Sequence, residues 1–435
     1  MPLGGGNFLT QNKVLPGSYI NFVSLARANA NLSSRGVVAM PLELDWGKDN
    51  EVFEVTSADF QKNSLKIFGY PYTHPKLKGL RDLFQNAKTL FAYKLTSGGV
   101  KASNTFATAL YSGTRGNALK TVIQANVDNP AKFDVRTLID TTVVDQQTVA
   151  TAAELVANEY VSFKSAATLA VTASTPFTGG TNGTVNGTAH QAFLDKIESY
   201  SYNALGVVTT DSVTKGLYAN FAQRLRDEIG QKFQAVIHQK AADYEGVVNV
   251  KNSVSDVGEN EASLVYWVTG IIAGCEVNKS NLNKRYDGEF AVEADFTQSQ
   301  LEAAIQAGEF TLHKVGADIR VLSDINSLVT TSDTKGDVFK ENQTVRVLDQ
   351  IANDIAVLFN TKYLGNVPND EAGRISLWSD IVKHHEQLQT IRAIEDFSDA
   401  DVSVSQGDTK KAVVVNDAVT VVNTMAQLYM TVVVG

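Results

Sequence analysis

At 435 residues, with 43% hydrophobic and 20% charged side chains, the chain has a globular composition and exceeds one ordinary core, so roughly two to four domains are expected. Its net charge of −9 leaves no basic footprint for nucleic acid. Cys275 is the single cysteine, which excludes an intrachain disulfide and a cysteine-based zinc site and fits a reducing compartment.

Residues 1–20 carry Gly4, Gly5 and Gly6 in succession together with Pro2 and Pro16, and read as an extended arm. They offer neither a basic n-region nor an apolar h-region, so a chain made and folded in the cytoplasm is expected. Strand-like runs follow at Gly36–Leu44 and Asn50–Ser57. Leu77, Leu80, Leu83 and Phe84 have helical spacing, and "TLFAYKLTS" reads as another strand. These elements predict a small mixed α/β domain over 21–99.

The character changes at Val100. "NTFATALYSG", "LKTVIQANVD" and "KFDVRTLID" are short strand candidates divided by turn residues, while "QTVATAAELVANEY" has the composition of a short helix. The Thr/Gly/Asn tract "TASTPFTGGTNGTVNGTA" is too polar for a core and reads as a flexible tip. Residues 100–190 are therefore expected to form a β-sandwich. Asn182 and Asn186 head glycosylation-like triplets, but with Thr and Gly this abundant the match is read as coincidence.

Strand and helix patterns then alternate through 191–335, as in an open α/β sheet. Leu217, Phe221, Leu225 and Ile229 mark one helical face, with Asp211 as N-cap and Gly230 as stop. "SLVYWVTGIIAGC" is too short to span a bilayer and reads as a buried helix. Over 336–410 a long helix carries an apolar seam at Leu348, Ile351, Ile355 and Leu358, and a second helix and strands follow. Residues 411–435 end on "AQLYMTVVVG", an apolar β-prone run without a charge. Left unpaired, such a segment is a template for joining another chain.

Catalytic motifs are absent from the sequence: there is no G-x-S-x-G elbow, no phosphate-binding G-x-x-x-x-G-K-[ST], no G-x-G-x-x-G and no H-E-x-x-H. Six histidines are scattered, and the one local cluster, His384, His385 and Glu386, is read as a solvated helix face because adjacent helical positions diverge by about 100°. No catalytic, metal-binding or cofactor-binding residue is assigned.

Several stretches together resemble the contractile tail sheath proteins of bacteriophages and phage-tail-like particles, among them R-type bacteriocins and defective phages. They are "ATALYSGTRGNAL" (Ala107–Leu119), "FAQRLRDEIGQKFQAVI" (Phe221–Ile237), "RVLSDINSLVT" (Arg320–Thr330), Asp337–Leu377 and "DAVTVVNTMAQLYMTVVVG". The first 100 residues match less distinctively. The resemblance implies an α/β multidomain subunit with a subtilisin-like α/β core lacking a triad, an inserted β-sandwich, and terminal strand arms that complete a neighbour's sheet. It implies a structural role without cofactor. The subunit would polymerise helically, in hexameric rings, around an inner tail tube protein, and would meet baseplate and tail terminator proteins but neither nucleic acid nor the membrane interior. Contraction from a metastable extended state would drive the tube through a cell envelope. Residues expected in the arms and the sheet they join are Asn7, Phe8, Leu9, Val413, Val415, Leu428, Tyr429, Met430, Thr431, Val432, Val433 and Val434. The alternatives are a non-contractile virion surface or shell protein and an α/β hydrolase.

Overall fold

A computed structural model describes residues 32–434, so Asn7, Phe8 and Leu9 of the expected N-terminal arm lie outside the described residues. The described chain divides into two compact units, one formed by 34–352 with the terminal segment from Val421, the other by 353–420 with residues 32 and 33.

The larger unit opens with β1 (Val37–Leu42), β2 (Val52–Thr56), α1 (Ser57–Phe68), α2 (Lys78–Phe84) and β3 (Thr89–Lys94). Thr56 caps α1 by accepting from Asp59 N–H, and Gly69 ends it at φ 78°, the left-handed conformation that glycine adopts without strain. β1 alternates in depth: Val38, Met40 and Leu42 join one core, while Ala39 faces another. A strand buried on both faces needs helices on both sides, and the first 99 residues supply only one layer. The domain expected over 21–99 therefore does not stand apart.

Residues 101–176 form the sandwich: β4 (Lys101–Ser103), β5 (Ala107–Ser112), β6 (Leu119–Ala125), β7 (Phe133–Ile139), β8 (Thr142–Val149), β9 (Val161–Phe163) and β10 (Thr172–Pro176). A sheet ordered β10-β6-β7-β8 faces one ordered β4-β5-β9, with Leu119, Ile139, Ala107 and Val161 in the shared core. "QTVATAAELVANEY" is not a helix. Its start continues β8 against β7, pairing Thr148 with Asp134 and Val149 with Phe133, and the Gln147 amide then exchanges hydrogen bonds with the Val156 backbone at 2.8 and 2.9 Å. Sheet pairing overrides local helix propensity here.

The Thr/Gly/Asn tract is not a tip either. Its start is strand β10, and its middle is the return crossing from the sandwich, which runs beside the outgoing one: Val100 and Thr181 exchange backbone hydrogen bonds, and Gly183 N–H donates to Thr96 O at 2.8 Å. A Cβ on Gly99 would collide with Thr181 O, and one on Gly183 with Ser97 O. The glycines permit this close backbone approach.

The chain then re-enters the α/β body through α3 (Gly187–Ile197), β11 (Ala204–Val207), α4 (Ser212–Arg224), β12 (Gln234–His238), β13 (Val247–Val250), α5 (Val265–Gly274), α6 (Gln298–Gln306), β14 (Glu309–Phe310), β15 (Leu312–Val315) and β16 (Asp318–Val321). One seven-stranded sheet results, ordered β14-β13-β12-β11-β1-β3-β2. It is parallel except for edge strand β2. Helices α1, α2 and α5 cover one face and α3 and α4 the other. Asp211 caps α4, accepting from Thr214 N–H at 2.7 Å, and Gly230 stops it at φ 88° as expected. Between them Leu225–Ile229 winds as a π turn, so the predicted seam fails at its end: Ile229 is 59% exposed and Arg226 is buried instead.

The smaller unit begins within α7 (Asn342–Leu358) and continues through α8 (Glu371–Thr390), β17 (Ile394–Glu395), β18 (Val402–Gln406) and β19 (Val413–Asp417). The expected α7 seam is only half-buried at Leu348, Ile351 and Ile355 and buried at Leu358. Val345 and Val347 are buried in its first three turns, and so are the polar Asn342, Gln343, Arg346 and Asp349, each of these four held by hydrogen bonds that compensate for lost water.

Candidate functional site

The terminal arm leaves the larger unit from one anchor. Gln343, 3% exposed on the first turn of α7, donates through Nε2 to Val422 O at 3.0 Å and accepts Thr424 N–H at 3.1 Å. Its planar amide thus reproduces the donor and acceptor pair of a neighbouring strand. Thr344 and Asn423 add a contact at 3.3 Å. Beyond it, Met425–Val434 forms no strand and makes no backbone hydrogen bond among the described residues. Leu428, Tyr429, Met430 and Val432 to Val434 are 69–89% exposed, and Thr431 is exposed between them. At about 3.3 Å per residue, the ten residues of this run could extend about 33 Å.

The smaller unit carries a two-stranded sheet. β18 and β19 form an isolated antiparallel pair, register Val402↔Asp417 to Gln406↔Val413. Trp378 of α8 fixes β18 by donating its indole N–H to Val402 O at 3.0 Å. Successive residues of a strand face opposite sides, yet Val414 and Val415 are both exposed, at 44% and 39%. Neither face of β19 is fully covered. Val413 borders a cavity of about 110 Å³ lined also by Phe359, Tyr363, Val367, Pro368 and Leu377. Asn369 steadies the turn before β19 by donating to Lys410 O and Ala412 O at 3.0 and 2.8 Å.

His384 and His385 are not a solvated face. Both rings are buried and engage carboxylates: His384 Nε2 lies 3.0 Å from Asp354 and His385 Nε2 2.8 Å from Asp417. Adjacent positions diverge around the helix, as anticipated, but α7 and β19 pack on different sides of α8 and supply one acid to each ring.

Open α/β sheets bind ligands at the carboxyl ends of their parallel strands. A crevice of about 370 Å³ there is lined by Gln239, Asn249, Lys251, Ser253 and Glu309. His238 Nε2 stands 3.2 Å from Ser253 Oγ, but among the described residues no carboxylate hydrogen-bonds to the ring, and burial pushes the His238 pKa down to about 4. A triad needs an acid to orient and charge-stabilise its histidine. No group of three or more His, Cys, Asp or Glu side chains is placed to hold a metal among the described residues.

Comparison with known proteins accounts for nearly the whole chain. Four family models match in succession: the tail sheath protein Gp18 domain III N-terminal region over 35–95, the phage tail sheath β-sandwich domain over 89–182, the central domain over 183–327, and the C-terminal domain over 334–435. The phage-like element PBSX protein XkdK of Bacillus subtilis is 32% identical, with 99% of each chain aligned. The crystal structure of a sheath tail protein from Desulfitobacterium hafniense superposes with a TM-score of 0.79 at 35% identity, covering 90% of this chain and 93% of that one. The anti-feeding prophage helical sheath in its contracted state shares the fold, with a TM-score of 0.56 at 12% identity over 97% and 99% of the two chains. The fold and these matches define a virion structural protein, not an enzyme. The chain belongs to the phage tail sheath protein family.

Proposed function

We propose that this chain is the subunit of a contractile sheath, polymerising as stacked hexameric rings around an inner tail tube and contracting from a metastable extended state to drive that tube through a cell envelope. The observation that carries the reading is the uncovered apolar run Met425–Val434. A strand added to another chain's sheet satisfies main-chain groups and seats alternate side chains in pockets. The β18–β19 pair of a neighbouring copy is the acceptor we assign, with Val413 and Val415 in the receiving strand. Six to eight inter-strand bonds at roughly 0.5–1.5 kcal/mol each would contribute several kcal/mol before ordering costs. Burial of Leu428, Met430, Val432 and Val434 would add to this. Because every subunit gives and receives, the contact propagates as a helix. Residues 1–20, with Asn7, Phe8 and Leu9, would form the second arm.

Within this reading the α/β body corresponds to a subtilisin-like core without a triad, supported by the parallel sheet covered on both faces. The sandwich lies outward, where an insertion disturbs the lattice least. Baseplate and tail terminator proteins bound the polymer, in a phage tail or a phage-tail-like particle assembled in the host cytoplasm. The arms keep neighbours linked while their bodies rotate as rigid units.

Deletion of Leu428–Gly435 tests the reading. The truncated chain is expected to remain folded and monomeric, and to give no tubes or rings in negative-stain microscopy. Normal tubes from the truncated protein would overturn it.

A further inference from the structure

Crossovers leave β1 and β11 in opposite directions. From β1 the chain builds β2 and β3 on one side, and from β11 it builds β12, β13 and β14 on the other. The loops that follow these two adjacent parallel strands therefore diverge. Such a switch point is where open α/β sheets form a ligand crevice. A cavity of about 200 Å³ lies there, walled by Leu42 at the end of β1, Val207 at the end of β11, Leu80 of α2 and Phe290. All its lining residues belong to the larger unit. A cavity of about 150 Å³ admits benzene, so this one has room for a group of roughly six heavy atoms or slightly more.

The polar lining is unsaturated. Ser263, 3% exposed, stands in the turn that leads into α5, and half-buried Tyr266 follows in the first turn of that helix. Neither hydroxyl has a hydrogen-bond partner among the described residues, an uncommon state for a buried polar group. A Cβ on Gly79 would collide with the Tyr266 ring, so the glycine lets that ring lie against the start of α2. Glu43 and Glu259 also line the cavity; both are exposed, and neither carboxylate is paired among the described residues. Burial first, and then the charges of these two carboxylates, push the Tyr266 pKa up, which puts both within electrostatic reach of its hydroxyl. The remaining polar lining groups are engaged. Lys76 Nζ donates to Asp45 at 2.6 Å and to Tyr70 Oη at 3.0 Å, and Asn260 Oδ1 accepts Ala262 N–H at 2.9 Å. The uncompensated charge of the crevice is negative.

We propose that this crevice binds an organic cation, an amine or guanidine carried on a short aliphatic stem. An ammonium brings three donors and no acceptor, which suits two free carboxylates and two hydroxyl oxygens, while the stem meets Leu42, Leu80 and Val207. An anion of the same shape would be repelled. The binding is a property of the single chain and does not depend on polymerisation.

Titration of the purified full chain tests it, with n-butylammonium as the probe and n-butanol and butyrate as neutral and anionic controls of similar length. Methyl NMR of Leu- and Val-labelled protein reads the site at Leu42, Leu80 and Val207, with Val135 of the sandwich as internal reference. Saturable shifts confined to the cavity methyls are expected. The ammonium should bind roughly tenfold more tightly than the alcohol, as charge-assisted hydrogen bonds outweigh neutral ones, and butyrate should not bind. In the double variant Glu43→Gln with Glu259→Gln, which alters only exposed side chains, ammonium and alcohol should bind alike. No saturable shift with the ammonium, butyrate binding as tightly, or an unchanged preference in the double variant would each overturn the proposal. Assembled protein distinguishes the source of the cation. A crevice served by a free amine still takes the probe there, whereas one filled by a lysine or arginine of a second copy excludes it and shows the shifted methyl positions without it.

Discussion

Gln343 holds Thr424 by its backbone N–H at 3.1 Å while the same amide donates to Val422 O, so a single side chain sets where the terminal arm leaves the body. Gln343→Ala removes both bonds and is expected to loosen the arm root by about 1–2 kcal/mol. The fold should survive, because the sheet and its two cores lie elsewhere. Faster amide exchange at Val422–Thr424 is expected, together with fewer or shorter tubes in microscopy. An unchanged exchange rate there would remove Gln343 as the anchor.

Val415 separates stability from assembly. Its side chain is 39% exposed on the strand proposed as the acceptor, so Val415→Asp should change the unfolding midpoint of the isolated chain by no more than about 0.5 kcal/mol equivalent. Polymer formation, read by sedimentation, should be lost, since the incoming arm would have to bury an unpaired carboxylate. A variant that still sediments as tubes would place the acceptor strand elsewhere.

Elements specified by local chemistry were legible in the sequence. The Asp211 cap and Gly230 stop of α4 need only residues close by in the chain. What failed depended on distant partners. The Gln147–Tyr160 stretch has helix-forming composition, and only the presence of β7 makes its start a strand. Gly183 read as flexibility because the backbone it accommodates, at Ser97, lies some eighty residues away. His384 and His385 looked solvated because Asp354 and Asp417 are 30 and 32 positions distant. The exposed run Leu428–Val434 was visible as an apolar, chargeless stretch, but the Gln343 contacts at its root had no sequence signal, since one glutamine on a helix resembles any other.

Asp82 should make stability depend on pH. Its carboxyl is fully buried on α2, and burial raises its pKa to about 6 from 3.8, although Glu289 N–H and Tyr286 Oη both hydrogen-bond to it. A carboxyl with a raised folded pKa favours the folded state most when protonated, so its contribution is complete below the unfolded value and is lost as pH rises through about 6. Asp82→Asn keeps an acceptor for Glu289 N–H and removes the buried charge. It is expected to stabilise the protein by on the order of 1–2 kcal/mol above the folded pKa. The gap between variant and wild type should close in acid. Denaturant unfolding across this range measures it, and a gap that widened in acid would reverse the assignment.

Arg226 and Asp349 form a buried ion pair that is costly to break. The π turn after α4 carries Arg226 inward, where its guanidinium meets the Asp349 carboxylate through two bonds of 2.6 and 2.8 Å and also donates to Phe233 O at 2.6 Å. Burial pushes the Arg226 pKa down, but Asp349 more than offsets this and the net direction is upward. Arg226→Ala strands a buried carboxylate and should cost about 3–5 kcal/mol. Replacing both partners, as Arg226→Met with Asp349→Leu, removes both charges and should recover most of that loss in denaturant unfolding. The double variant would not regain everything, because Phe233 O loses its donor. If the single and double variants were equally destabilised, the pair would owe its effect to packing and not to charge.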